Sequence, residues 1–338
     1  MKIAFATAIG VLAAAGTFPS TGSGQPPGNP QPISHEYADV NGVKIHYARA
    51  GTGPLMIFLH GFPEFWYEWK YQIAEFSRDH TVVAPDMRGY NLSSKPTELS
   101  EYAIPKLVAD VRALASELLK STGGRTFTLV AHDWGGAVAW VFAALNPDML
   151  DKLVIVNAPH PTIFAKLLAD DAAQQNASQY MLMFRGPQAE DTLSANAYAM
   201  LTSMVLGAGL KDGTVTEDDK KMYLEAWSQP GALTGGLNYY RAAGIGPATA
   251  AGRGAAPAGD PPASETPARI EAPPLIVKVP TLVVWGEKDT ALLTSNLNGL
   301  ERLVPTLTIK RVPDGTHWVV REKAPVVNRL IRDFLDQR

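Results

Sequence analysis

The chain has 338 residues, 30 basic and 33 acidic, a formal charge of −3, and no cysteine. That balance argues against a phosphate-binding surface, which calls for a basic excess, and the missing cysteine excludes disulfides, a thiol nucleophile and cysteine-ligated metal. Hydrophobic residues at 46% and charged residues at 19% make a globular composition, but 29 Gly and 26 Pro exceed ordinary usage and place part of the chain outside a packed domain.

Met1-Lys2 is followed by an apolar run from Ile3 to about Ala15, then by Gly16, Thr17 and Ser20 to Gly24. A basic start, a short apolar stretch and small residues describe a secretory signal over residues 1–23. The run is too short to span a bilayer comfortably. A buried N-terminal helix or an uncleaved anchor is the alternative. The signal predicts cleavage between Ala15 and Gly24, an exported protein that is periplasmic or secreted, and no membrane span after its removal. A cysteine-free chain suits an oxidising compartment. Residues 24–34, rich in Pro, Gly and Gln, read as a linker.

Residues Glu36 to Ala48 alternate around Asn41-Gly42, a hairpin signal. Short apolar runs follow at 55–59, 81–84, 126–130, 153–156, 281–285 and 306–311. The middle ones are continuous, as in strands covered on both faces. Helical patterns lie at 104–119, 136–145, 291–303 and 324–335, and residues 160–245 read as mainly helical. Strand and helix alternate, which predicts an α/β fold: a mostly parallel, doubly wound sheet with helices on both faces. The core divides into residues 35–159 and 276–338, with a helical insertion over 160–275. Within the insertion, Ala, Gly and Pro dominate from 242 to 274 and exclude a continuous helix there. Chemistry in such sheets sits at the carboxyl ends of strands.

The segment Ala131-His132-Asp133-Trp134-Gly135-Gly136 follows a strand and opens a helix with the spacing of a nucleophile elbow. Its central residue is Asp133. A carboxylate attacking an acyl carbon would give an anhydride, whereas displacement at a saturated carbon gives an alkyl-enzyme ester that water can hydrolyse. Aspartate also suits a plain helix N-cap. Two further features favour the nucleophile. In Leu59-His60-Gly61-Phe62-Pro63-Glu64, the Phe62 N–H and, beyond the elbow, the Trp134 N–H are candidate oxyanion donors. Asp289 and His317 each stand just past a strand, completing the order nucleophile, acid, histidine. Asp289 would orient the His317 ring and stabilise its charge.

His60-Gly61-Phe62-Pro63-Glu64-Phe65-Trp66-Tyr67-Glu68-Trp69, Ala84-Pro85-Asp86-Met87-Arg88-Gly89-Tyr90, His132-Asp133-Trp134-Gly135-Gly136, Asn157-Ala158-Pro159-His160-Pro161 and Gly286-Glu287-Lys288-Asp289 resemble the soluble epoxide hydrolases of the α/β-hydrolase fold. The likeness covers residues 35–245 and 276–337. It implies a helical lid inserted after the sixth strand, with two tyrosines that hold the epoxide oxygen. Tyr180 matches in Gln179-Tyr180-Met181-Leu182-Met183-Phe184-Arg185-Gly186-Pro187, and Tyr240 in Leu237-Asn238-Tyr239-Tyr240-Arg241. It implies a small-molecule epoxide and water as reactants, a vicinal diol as product and no cofactor. His60, Trp66, Trp134, Phe164, Met181 and Met183 are candidate pocket residues.

Haloalkane dehalogenases share the Asp-Trp pair but need a second polar halide donor, and Phe62 occupies one such place. Fluoroacetate dehalogenases carry arginines after the nucleophile, where this chain has Trp134 and Ala137. Where some relatives take their acid after the sixth strand, Asn157 stands, which leaves Asp289. A non-catalytic binding member of the fold is the reading from another class. The seven histidines show no paired metal-ligand spacing, no Gly-x-Gly-x-x-Gly joins strand to helix, and neither a metal nor a nucleic-acid partner is expected.

Overall fold

A computed structural model of the chain describes residues 31–247 and 274–337. The signal segment, most of the linker and most of the Ala/Gly/Pro-rich stretch lie outside the described residues.

Eight strands form one sheet: β1 (Ser34–Val40), β2 (Val43–Ala50), β3 (Leu55–Leu59), β4 (Thr81–Pro85), β5 (Phe127–His132), β6 (Leu150–Val156), β7 (Thr281–Gly286) and β8 (Leu307–Val312). Their spatial order is β1-β2-β4-β3-β5-β6-β7-β8. The first two join through Asn41 and Gly42, both at positive φ, as a two-residue hairpin turn requires. β1, β2 and β4 pair antiparallel, and every later pairing is parallel. β3, β4, β5 and β7 are buried along their whole length, which is why their sequences do not alternate.

The core helices are α1 (Lys70–Phe76), α2 (Ile104–Thr122) and α3 (Asp133–Leu145), with α11 (Val319–Glu322) and α12 (Ala324–Leu335) closing the chain. α2 begins with a proline in its first turn and stops at Gly123, whose φ of 72° ends the helix. Chain order reverses at β3, which has β4 on one side and β5 on the other. The loops after β3 and β5 therefore open at the crevice where α/β sheets bind ligands.

The insertion follows the sixth strand and is helical, as expected: α4 (Pro161–Asp170), α5 (Ala172–Ala177), α6 (Tyr180–Arg185), α7 (Ala189–Leu201), α8 (Gly207–Asp212), α9 (Glu217–Trp227) and α10 (Ala232–Ala243). A π-helical stretch, Thr202–Leu206, links α7 to α8. Among the described residues, 189–212 is the one run long and apolar enough to cross a bilayer by length and composition. Its helix is broken at Ala195–Tyr198, and Leu193, Leu201, Val205 and Leu206 are buried. The lid is pinned to the core by buried polar contacts. Trp227 Nε1–H donates to the Pro63 carbonyl at 2.7 Å, and the Tyr239 hydroxyl donates to the Arg88 carbonyl at 2.8 Å.

Three expectations need correction. Residues 291–303 form no continuous helix but two 3-10 turns, Thr294–Leu297 and Leu300–Arg302; Asn298-Gly299 separates them, with Gly299 at φ 81°. α3 starts at Asp133, three residues before the periodicity suggested, because the elbow residue is itself the first helical position. α10 runs two residues into the stretch beginning at 242 before Gly244, at φ 59°, ends it.

Candidate active site

Five chain segments converge at the carboxyl ends of the parallel strands. The elbow at the end of β5 holds Asp133 at φ 48°, a conformation unusual for a non-glycine residue, which turns the carboxylate out of the bend. The turn is tight enough that a Cβ on Gly135 would lie 2.4 Å from the Leu59 carbonyl oxygen. A Cβ on Gly61 would lie 2.2 Å from the Asp133 carboxylate. Glycine at these places lets the loop after β3 pass directly over Asp133.

That loop contains a cis Phe62-Pro63 bond. The Phe62 N–H donates to Asp133 Oδ1 at 2.8 Å. Trp134 N–H, in the first turn of α3, is one of the amides a helix cannot pair internally. Oδ2 of Asp133 lies 3.8 Å from His317 Nε2, just outside hydrogen-bond range. The other ring nitrogen, Nδ1, is 2.7 Å from Asp289 Oδ2. Asp289 also accepts from Asn157 Nδ2 at 2.8 Å and from the Ala291 and Leu292 N–H groups, both at 2.9 Å. Burial opposes the charge on Asp289, but His317 and these donors outweigh it and hold its carboxyl below the usual range. Burial likewise opposes the charge on His317. The Asp289 and Asp133 carboxylates outweigh it and push the imidazole up to about 9.

A cavity of about 700 Å³ opens beside Asp133. Trp134, Ala137 and Val141 of α3 form one wall, and Phe164, Ala165 and Leu168 of α4 another. Tyr180 and Tyr240 reach it from the lid, their ring centroids 6.4 Å apart. Burial pushes both phenols well above their usual range, so each remains a hydroxyl donor. Phe62 and Phe184 pack against Tyr240 with centroids 5.6 and 5.1 Å away and fix its ring. Tyr239, its neighbour, does not line the cavity and instead bonds Arg88.

Phe164 and Met181 line the cavity, whereas His60, Trp66 and Met183 do not. His60 is fully buried beneath the loop. Its Nδ1 lies 2.8 Å from the Gly61 carbonyl and its Nε2 accepts from the Met87 N–H at 3.0 Å. Burial pushes it down to about 4, so it is a neutral support of the loop. Trp66 packs edge-on against His35, with centroids 5.0 Å apart, on the β1 side of the sheet. Met183 stands on α6 with Tyr180 and Met181, but of the three only Tyr180 and Met181 line the cavity.

Sequence reasoning missed the second layer. Asn157, at φ 38° just past β6, holds Asp289 and accepts from the Gly286 N–H at 2.7 Å. Glu64 is buried and pairs with Arg321 at 3.1 Å and the Tyr223 hydroxyl at 2.5 Å, linking the oxyanion loop to α11 and α9. The available signal was a charged residue inside an apolar motif. Among the described residues no group of three His, Asp or Glu converges as metal ligands.

An elbow carboxylate backed by an acid–histidine pair on this sheet defines a hydrolase of the α/β class. The alpha/beta hydrolase fold family matches residues 54–324. Epoxide hydrolase 4 of Mus musculus is 34% identical over 343 residues, covering 96% of this chain and 87% of that one. The AB hydrolase superfamily protein YfhM of Bacillus subtilis is 36% identical over 307 residues, covering 90% and 98%. The crystal structure of a Bacillus megaterium epoxide hydrolase with an inhibitor superposes with a TM-score of 0.76 at 36% identity, covering 89% of this chain and 100% of that one. The chain belongs to the epoxide hydrolases of the α/β-hydrolase fold.

Proposed function

We propose that the protein opens an epoxide bearing an apolar substituent to a vicinal diol through an ester on Asp133. The observation that carries this reading is the shared cavity: a carboxylate on its floor faces two phenols on its lid, and most of its other lining is aliphatic or aromatic. The epoxide oxygen sits between the Tyr180 and Tyr240 hydroxyls. Oδ2 of Asp133, the oxygen not held by Phe62, attacks a ring carbon. As the C–O bond breaks, a tyrosine supplies the proton that the alkoxide needs.

The ester then has Oδ1 as its carbonyl oxygen, already bound by the Phe62 N–H at 2.8 Å in the resting enzyme. His317, oriented by Asp289, takes a proton from water as that water attacks the ester carbonyl carbon. Negative charge gathers on Oδ1, where the Phe62 and Trp134 amides stabilise it; such a donor is worth about 2.7–4 kcal/mol. Collapse expels the alkoxide, which takes the proton from His317 and leaves as the diol, and the Asp133 carboxyl passes its proton back to the tyrosinate, so that Asp133, His317 and the tyrosine all return to their starting forms. The N-terminal sequence supports export of the chain before it acts.

A panel of terminal epoxides, bromoalkanes and fluoroacetate, scored for diol and for halide, tests the reading. Diol from the epoxides with no halide release is the expected result. Halide release faster than diol formation would transfer the protein to the dehalogenases.

A further inference from the structure

Gln174, the third residue of α5, is a fully buried amide where the lid meets the core. Asp171 caps the start of that helix by accepting from the Gln174 N–H at 2.7 Å, which fixes the residue's place. The side chain reaches the turn after β7 that carries Asp289. Its Nε2 donates to the Ala291 carbonyl at 2.8 Å and to the Ser178 hydroxyl at 2.9 Å. Its Oε1 accepts from the Leu293 N–H at 3.1 Å and from Asn296 Nδ2 at 2.8 Å.

These contacts fix which way round the amide lies. A backbone N–H only donates and a carbonyl only accepts, so Oε1 belongs at Leu293 and Nε2 at Ala291. Both hydrogens and both lone pairs of the amide are thereby used. An apolar side chain would fill this junction without the cost of burying an amide, so the contribution of Gln174 lies in orientation. That orientation acts on one peptide plane. The Ala291 carbonyl and the Leu292 N–H belong to the same planar peptide unit. Gln174 holds the carbonyl end, and the N–H end donates to Asp289 Oδ1 at 2.9 Å. The other oxygen of Asp289 is 2.7 Å from His317 Nδ1. A carbonyl that accepts a hydrogen bond also polarises its own peptide N–H, which strengthens the donation to Asp289.

We propose that Gln174 is a positioning residue for the hydrolytic half-reaction: it clamps the peptide between Ala291 and Leu292 that orients Asp289, and so ties the lid to the acid that aims the general base. This rests on the covalent scheme proposed above. Without the amide the peptide can turn, Asp289 loses a donor, and His317 loses its fixed direction toward the attacking water. Ring opening depends on Asp133 and the lid tyrosines and does not use this contact. Leu292 also lines the cavity, so the two half-reactions are compared at saturating epoxide.

The test compares Gln174→Met, which keeps volume but makes none of these bonds, with Gln174→Glu, which can bridge Ala291 and Leu293 only while its carboxyl is protonated. Single-turnover kinetics separate the two half-reactions. Q174M is expected to slow ester hydrolysis about tenfold, the worth of one lost buried hydrogen bond, with ring opening changed by less than about threefold. Mass spectrometry of Q174M turning over an epoxide should then show the adduct on Asp133. At low pH, Q174E should hydrolyse the ester within about threefold of the parent, and it should lose that rescue where its carboxyl ionises and opposes the Ala291 carbonyl. Equal loss in both half-reactions of Q174M, or a Q174E as slow as Q174M at every pH, would overturn the proposal. His317→Gln is the control: no adduct there would remove the covalent scheme itself, whereas an adduct there and none in Q174M would remove this proposal alone. Amide hydrogen exchange in the parent gives a readout independent of variants that fail to fold. Strong protection of the Leu293 N–H is expected, and exchange at the rate of an open loop would contradict the clamp.

Discussion

Asp133 is held by opposing demands. The elbow forces it to φ 48°, and Phe62 already occupies one of its oxygens. In the proposed scheme Oδ2 is the oxygen free to attack, and the same geometry would leave the other in place as the future oxyanion. His317 is tuned by the same carboxylate. Its elevation to about 9 owes part of its size to the Asp133 charge, and formation of the proposed ester would remove that charge. The imidazole must therefore become a weaker base, and a neutral one at lower pH, just when it is needed to deprotonate water. Titrated by NMR without substrate, His317 should stay protonated up to about 9. The ascending limb of ester hydrolysis in single turnover should lie below that value. A limb at or above the resting value would contradict the scheme. The sequence showed Asp133, Asp289 and His317 because each follows a strand at a recognisable place. It did not show that Asn157 holds Asp289. That contact depends on β6 lying beside β7, with Val156 opposite Val284, and lateral strand order is not written in local periodicity.

At the scale of single elements, the elbow works because β3, β5 and α3 approach more closely than side chains allow. Gly135 faces the Leu59 and His60 carbonyl oxygens, where a Cβ would come within 2.4 and 2.5 Å. Replacing Gly135 by Ala should cost about 1–3 kcal/mol of stability, as overpacking does, and should slow ring opening by displacing Asp133 from the cavity. Thermal denaturation and single-turnover kinetics measure the two effects. An alanine variant with parental melting and rate would show that the crossing is looser than the geometry implies. Strands and long helices were legible because their burial repeats at fixed periods. The 291–303 segment was not, since its leucines sit at helical spacing but Asn298-Gly299 breaks the backbone between them. α1 was missed because an aromatic-rich turn precedes it without any side-chain cap.

On the scale of the molecule, the sheet positions Asp133, His317 and the Phe62 and Trp134 amides, and the lid supplies the two phenols and most of the cavity wall. Neither part forms the site alone. The helical insertion after the sixth strand was legible from the order of strands and helices. The inner surface of the lid was not: Met181 lines the cavity and Met183 does not. The N-terminal segment adds a separate expectation. Sequencing the N terminus of protein recovered from the periplasm or medium should begin between Ala15 and Gly24, and recovery of the chain from the cytosol starting at Met1 would contradict export. The central claim is the ester on Asp133. In His317→Gln the second half-reaction should stall, so mass spectrometry after mixing with a terminal epoxide should find the peptide containing Asp133 heavier by the intact mass of that epoxide. An unmodified peptide while diol continues to form would contradict the account.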